Sequence, residues 1–472
     1  MNSKFKSFIK NFSFAFMANI VTLFISLVMQ LFLPKILGVR QFSYWQLYLF
    51  YGTYIMYSSL GWCDGLYLKY GGKDYDSLDS HTIAGQFWYL LVYQTIFATV
   101  FSCVFMWFNP SIDRRFVILL SFISTAINIM RFMLQYILQS TNRIKEYSII
   151  VIVERLLFLV AIILTWIVNT NDYKLLVFSE VFTRLVGVFV GLYYCKRVIF
   201  AKIPTPKEVL KETKDLIKGG YKLLVANLTS QLIIGIVRFA IDNHWGTETF
   251  GKVSLTLSMS NMLITCISAV GVVLFPTLRR TSKENLPRLY KIMRNAIVIP
   301  SLGILMFYMP MKLILSWWLP QYAESLKYLA ILLPMCIFEG RTQLIINTYL
   351  NTLRKEIVIL TSNIITVFVS LISTGLCVYV FDNLDAAVAS IIFMLMFKCF
   401  LAEIRLSKIL DIDILADYVI EVMMTLIFIV SSWIVGGIIG MLIYIGIYIL
   451  YLLVKKNVIK ETIYSAKEII GR

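Results

Sequence analysis

Charge is what this sequence has little of. Only 15% of its 472 residues are Asp, Glu, Lys or Arg, where a soluble domain carries about a quarter. The seven cysteines (Cys63, Cys103, Cys195, Cys266, Cys336, Cys377, Cys399) are far apart, mostly inside apolar runs, and form no CxxC. That spacing excludes a disulfide framework or thiolate metal site and reads as buried, inert thiols. No GxxxxGK[ST] occurs. Gly71-Gly72-Lys73-Asp74 lacks both the spacing and the hydroxyl, so direct ATP drive is excluded. Lys4, Lys6 and Lys10 precede an apolar run that continues to Leu33 with no A-x-A-like cleavage site. It reads as an uncleaved first span.

What is abundant is apolar surface. Hydrophobic residues make up 59% of the chain and the mean hydropathy is +0.78. A membrane span needs about 20 apolar residues. Runs bounded by charge, Gly and Pro predict fourteen spans, at 8–33, 44–68, 84–108, 115–139, 147–168, 174–195, 221–242, 251–276, 292–318, 325–350, 357–380, 384–406, 417–435 and 437–454. The last two are separated only by Gly436-Gly437, so the count is twelve to fourteen. This is an all-α polytopic membrane protein, and a soluble enzyme or nucleic-acid-binding module is excluded.

The formal charge of +17 has a direction. Counting each loop together with the adjoining end turns of its spans, the N-terminal side carries thirty Lys or Arg against seven on the other side. By the positive-inside rule both termini are cytoplasmic. The longest loop, 196–222, holds eight basic residues with Pro204 and Pro206. It reads as a cytoplasmic linker on the membrane surface, attracted to anionic lipid, or as a plain basic loop. It divides an N-terminal six-helix bundle (1–195) from a second (223–410), followed by a C-terminal helix pair and tail (411–472).

The halves resemble each other. Gly38-Val39-Arg40-Gln41-Phe42 with Leu47 recurs as Gly246-Thr247-Glu248-Thr249-Phe250 with Leu255, at an offset of 208. Thr141 and Arg143 recur as Thr352 and Arg354, at an offset of 211. Six spans per half make these parallel repeats about an axis along the membrane normal, an arrangement that places a central cavity between two bundles.

Several of these stretches resemble motifs of bacterial polysaccharide flippases, within the multidrug/oligosaccharidyl-lipid/polysaccharide export superfamily. Pro34-Lys35-Ile36-Leu37-Gly38 through Phe42 is similar to the signature after their first helix. Gly61-Trp62-Cys63-Asp64-Gly65 with Lys69 is similar to the end of their second, and Tyr349 through Lys355 with Asp382 through Ser390 to their tenth-to-twelfth helix region. Two departures are Ser43 and Asp385, where the family usually has Gly. The resemblance implies a flippase of the bacterial cytoplasmic membrane. Its substrate would be an undecaprenyl-pyrophosphate-linked oligosaccharide for O-antigen, capsule or exopolysaccharide synthesis, moved by alternating access. Polysaccharide polymerase and glycosyltransferases of the same pathway would be partners, and no cofactor or metal is implied.

Polar stripes at helical spacing mark six spans. They are Asn19/Thr22/Ser26/Gln30, Asn128/Arg131/Gln135/Gln139, Asn227/Gln231/Arg238/Asp242, Ser254/Ser258/Asn261/Thr265/Ser268, Glu339/Gln343/Asn347/Asn351 and Asn363/Thr366/Ser370/Thr374. Helix–helix hydrogen bonding accounts for the Ser and Thr stripes without transport. Seven bases lie inside spans: Arg131, Arg155, Arg184, Arg238, Lys312, Arg341 and Lys398. Glu180 and Asp242 lie one turn from Arg184 and Arg238, whereas Arg131 and Asp64 have no opposite charge on their own helix. A net-basic cavity follows, suited to a pyrophosphate headgroup. Its expected substrate-binding residues are Arg131, Arg238, Asp64, Asp242, Glu339, Arg341, Gln30 and Asn261, with no catalytic residue. Pro300, Pro310 and Pro334 are hinge candidates. The rival readings are a drug or cation antiporter, which would favour cavity carboxylates, and a membrane glycosyltransferase or polymerase using Asp411-Ile412-Asp413. The latter lacks the large external loop such enzymes use.

Overall fold

The computed structural model describes residues 3–470 except 110, 169, 281 and 282. The side chains of 3–12, 15, 266–283, 463 and 465–470 are also outside the description. Lys4, Lys6, Lys10, Cys266 and Ser268, named above, therefore lie outside the described side chains. Among the described residues all regular structure is helical. The chain divides into two compact units, Met1–Leu228 and Thr229–Arg472.

The first unit opens with α1 (Ser3–Ile55), broken at Gly38, whose φ of 71° and ψ of 174° lie outside the helical region. Only glycine takes that conformation cheaply. The first two predicted spans are therefore two helices joined at Gly38. Helices α2 (Trp62–Tyr70), α3 (Ser80–Trp107), α4 (Ile112–Ser140), α5 (Ile144–Ile167) and α6 (Tyr173–Ile199) follow. Gly187 and Gly191 on α6 sit against Arg131, Glu154 and Leu134. A Cβ at Gly187 would stand 3.2 Å from the Arg131 Cδ, so these small residues set how closely α6 packs on α4 and α5.

The predicted linker is mostly helix. Helix α7 (Pro206–Trp245) begins inside it and runs through the boundary between the units. Thr205 and Glu208 form half of a capping box, the Glu208 carboxylate accepting the Thr205 N–H at 3.0 Å, with Pro206 at the first helical position. The segment lies against the first unit and does not float. Val209 and Leu216 are buried, and Gln86 on α3 gathers three partners. It accepts from Trp62 Nε1 at 2.8 Å and Thr213 Oγ1 at 2.9 Å, and donates to the Val209 carbonyl at 3.0 Å. Gly61 and Gly65 meet Gly220 and Leu216 backbone to backbone, so any side chain at Gly65 would collide with Leu216.

The second unit contains the rest of α7, then α8 (Thr247–Arg280), α9 (Leu286–Ile304), α10 (Tyr308–Trp318), α11 (Leu329–Leu332), α12 (Met335–Arg341), α13 (Asn347–Thr352), α14 (Glu356–Gly375), α15 (Leu384–Leu410), α16 (Leu415–Ile429), α17 (Gly437–Val454) and α18 (Lys456–Ile470). Proline interrupts two of the predicted spans. A 3-10 turn at Leu305–Phe307 separates α9, with Pro300 inside it, from α10. Pro334 caps α12, where the chain bends by 46° between Ser325–Leu332 and Met335–Thr352. A π turn at Thr342–Ile346 follows.

The count of fourteen spans is not reached. Among the described residues eleven helices are long and apolar enough to cross a membrane, or twelve if the bent pair is one span. The difference has a physical source, because α1 holds two predicted spans in one element and the side chains of α8 beyond 265 are outside the description. The internal repeat also has a backbone basis. Gly38 and Gly246 both have positive φ, and Phe42, Leu47, Phe250 and Leu255 are all buried. The second pair of turns matches at an offset of 212, not 211. Arg143 N–H donates to the Leu138 carbonyl and Lys355 N–H to Leu350, each at 2.8 Å. The left-handed residues are Asn142 and Arg354. Backbone closure, and not the identical Thr and Arg, fixes that register.

Candidate functional site

Polar side chains inside these helices are mostly neutralised in place. In the first unit Arg131 on α4 pairs with Glu154 on α5 and donates to Asn128 Oδ1 from Nε at 3.1 Å and Nη2 at 2.7 Å. Arg184 on α6 bonds Glu180 at 2.6 Å and Ser124 Oγ at 2.7 Å, and Tyr48 also donates to Ser124 at 2.6 Å. Asp64 on α2 is half-buried, and among the described residues no basic side chain lies within ion-pair distance. Gln30 is half-buried on α1, its Oε1 without a hydrogen-bond partner among the described residues.

The second unit holds two separate charge clusters. In one, the Lys398 ammonium on α15 donates to both Glu339 oxygens at 3.0 and 2.9 Å and to Ser230 Oγ at 2.9 Å. Gln343 Nε2 reaches the same Glu339 at 2.8 Å. In the other, Arg341 and Arg294 are sandwiched between Glu403 and Glu421. Arg294 meets Glu403 and Glu421 at 2.8 Å each, Arg341 meets Glu403 at 3.2 Å and pairs with Glu421, and Tyr290 donates to Glu403 at 2.8 Å. Glu339 and Arg341 thus share one helix but serve different clusters. The second cluster fastens α16 to α9, α12 and α15, so the C-terminal helices are part of this unit's core.

Near the start of the second half, Arg238 donates to Ser254 at 2.9 Å and lies 4.9 Å over the Phe250 ring, while the buried Asp242 accepts from Thr247 at 3.0 Å. The stripe at Asn363, Thr366, Ser370 and Thr374 is buried, and Ser370 donates to the Ile233 carbonyl at 2.9 Å. This stripe is helix–helix packing. By contrast Gln231, Asn261, Thr265, Gln343 and Asn351 are exposed on otherwise apolar helices. Such side chains are costly in hydrocarbon, which makes them candidates for a wetted face of the second unit. Gln343 connects that face to the Glu339–Lys398 pair, next to the Pro334 bend and within the π turn.

Most of the bases expected to make the interior net-basic have carboxylate partners. Four of the seven predicted bases, Arg131, Arg184, Arg341 and Lys398, are paired with carboxylates, because a lone charge in a low-dielectric interior is too costly to keep. Asp64, without an opposite charge on its own helix, has no ion-pair partner on another helix among the described residues either. Glu154, Arg294, Glu403 and Glu421 were missed. Each acid breaks an apolar run, in Val153-Glu154-Arg155, Ala402-Glu403-Ile404 and Ile420-Glu421-Val422, a signal as legible as the bases.

No protein-family model matches the chain, and no curated protein matches it in sequence. The fold is that of transporters of the MOP superfamily. The structure is similar to the lipid II flippase MurJ in an inward closed conformation, with a TM-score of 0.62 and 14% identity over 96% of this chain and 100% of that one. It is equally similar to the inward-facing conformation of a multidrug resistance MATE family transporter of the MOP superfamily, with a TM-score of 0.62 and 10% identity over 85% of this chain and 98% of that one. A MATE structure in complex with MaL6 follows at 0.56, with 12% identity over 85% of this chain and 96% of that one. The chain is a multi-pass membrane protein of transporter fold, and these structural neighbours are transporters and a flippase rather than enzymes.

Proposed function

We propose that the protein is a flippase for a lipid-linked oligosaccharide, moving its polar headgroup past the wetted face of the second unit by alternating access. The observation that carries this reading is the extent of the likeness to the lipid II flippase. The likeness to the lipid II flippase runs over 96% of the chain and those to MATE structures over 85%. Helix α16 is bound into the unit through the buried Glu403, Glu421, Arg294 and Arg341 cluster. The Glu339–Lys398 pair supports a role in passage, since it sits at a bend and a π turn and is reached from the wetted face through Gln343.

A second reading, a drug or cation antiporter, is favoured by the same neutralisation that removes the basic interior. Asp64 is a half-buried carboxylate without an ion pair among the described residues, a group able to attract a cation. The two readings separate in proteoliposomes. A lipid-linked oligosaccharide with a labelled glycan should become accessible to an impermeant reagent only when the protein is present, while an organic cation should not move down or against a proton gradient. The double substitution Glu339→Gln with Lys398→Met removes both charges together, so it should fold and stop glycan translocation. Unchanged translocation in the folded double variant takes the pair out of the path. Cation movement without glycan movement selects the antiporter.

A further inference from the structure

The first half of α7 carries a feature that transport does not use. Lys207, Lys211, Lys214, Lys218 and Lys222 follow one another at spacings of four, three, four and four. At 100° per residue these five side chains fall within about 80° of the helix circumference. The opposite side is the buried one, where Val209, Thr213, Leu216 and Gly220 pack on the first unit. All five lysines are exposed, and among the described residues none is in an ion pair. The neighbouring acids are occupied elsewhere: Glu208 caps the helix and Glu212 bonds Lys69 at 2.5 Å.

The two flanks of this ridge differ. Glu208, Glu212 and Asp215 lie along one side. Along the other lie Leu210 and Tyr221, which are 60% and 45% exposed, with Ile217 between them. Phe200 and Ile203, exposed at 62% and 44%, lead into the helix. A helix surrounded by water does not set an apolar flank beside five lysines. One lying in the headgroup layer does, with its apolar flank dipping towards the acyl chains and its lysines at the level of the phosphates.

We propose that this ridge is a docking surface for anionic phospholipid headgroups, holding the first half of α7 flat on the leaflet that the charge bias makes cytoplasmic. The chemistry is several ammonium groups in a row against a sheet of phosphate anions, each contributing a modest, salt-screened attraction. Glu212 and Gln86 hold the inner face of the helix to α2 and α3, so lipid held at the outer face is fixed relative to the first unit.

The test uses the full chain in detergent, incubated with equal phosphatidylglycerol and phosphatidylcholine, with the lipids retained counted by native mass spectrometry. The wild type should favour phosphatidylglycerol by about tenfold or more, given the attraction expected of five lysines. That preference should collapse as salt in the incubation is raised from about 0.05 to 0.5 M, where the screening length falls several-fold. Replacing all five lysines by Gln should bring the ratio near unity, and replacing all five by Arg should keep it. If the five-fold Gln variant does not stay monodisperse, Lys211→Gln with Lys214→Gln and Lys218→Gln should give an intermediate ratio. A wild type without preference, a preference insensitive to salt, or a folded Gln variant that keeps it would each overturn the assignment. So would a ridge that retains an acidic soluble protein but no phosphatidylglycerol.

Discussion

Arg131 and Glu154 are 23 positions apart and close in space only because α4 and α5 run side by side. Alone, either charge would be left buried with Asn128 and the backbone for company. Breaking a buried pair by removing one partner costs about 3–5 kcal/mol, whereas removing both is often close to neutral. Arg131→Met and Glu154→Gln should therefore each lower the thermal midpoint and the folded yield in detergent, and the two together should recover most of the loss. Equal losses from the single and double variants would mean that the pair is not the stabilising unit. The same pairing explains which part of the site was legible. A base inside an apolar run is visible in the sequence, and so Arg131, Arg238 and Arg341 are expected in the site. Its counter-charge belongs to a different helix, and adjacency of helices is a tertiary fact.

At the scale of elements, glycine spacing and caps decide what packs where. Gly61 and Gly65 form a small-residue face that lets the backbone of α7 cross α2 at Gly220. Gly65→Leu should force the two apart and release the first half of α7, seen as faster proteolysis at the exposed lysines between 207 and 222 while the spans stay intact. Cleavage at the wild-type rate would show that the crossing does not hold this helix. The spans themselves were legible because twenty apolar residues have few alternatives in lipid. The first half of α7 was not, since eight basic residues and two prolines suggest a loop. Its start was nonetheless written in Thr205-Pro206-Lys207-Glu208, a cap, a proline at the first position and an acid at the third. The backbone break at Gly38 was also legible, through the Gly that both halves place after their first helix, but the bends at Pro334 and Leu305–Phe307 were not fixed in direction or size by proline alone.

For the whole molecule the remaining question is which end faces the cytoplasm. Thirty Lys and Arg against seven give a strong bias, and orientation follows basic residues near span ends rather than net charge. The aromatic residues agree: Trp107, Trp166 and Trp317 are all highly exposed at helix ends on the side with few bases, where indole rings anchor to the interface. Thr205 precedes the lysine ridge and Asn171 lies in the short connection between α5 and α6, both exposed and on opposite predicted sides. Cys103 is exposed and is replaced by Ser in the background to keep labelling specific. In intact cells an impermeant thiol reagent should then label Asn171→Cys and leave Thr205→Cys unmodified until the membrane is opened. Labelling of Thr205→Cys alone would invert the molecule and set the lysine ridge on the outer leaflet. Labelling of both in intact cells would mean that α6, the one helix between them, does not cross. Only the expected pattern keeps the basic face of α7 on the cytoplasmic leaflet and places the connection between α5 and α6 outside, as the distribution of basic residues requires.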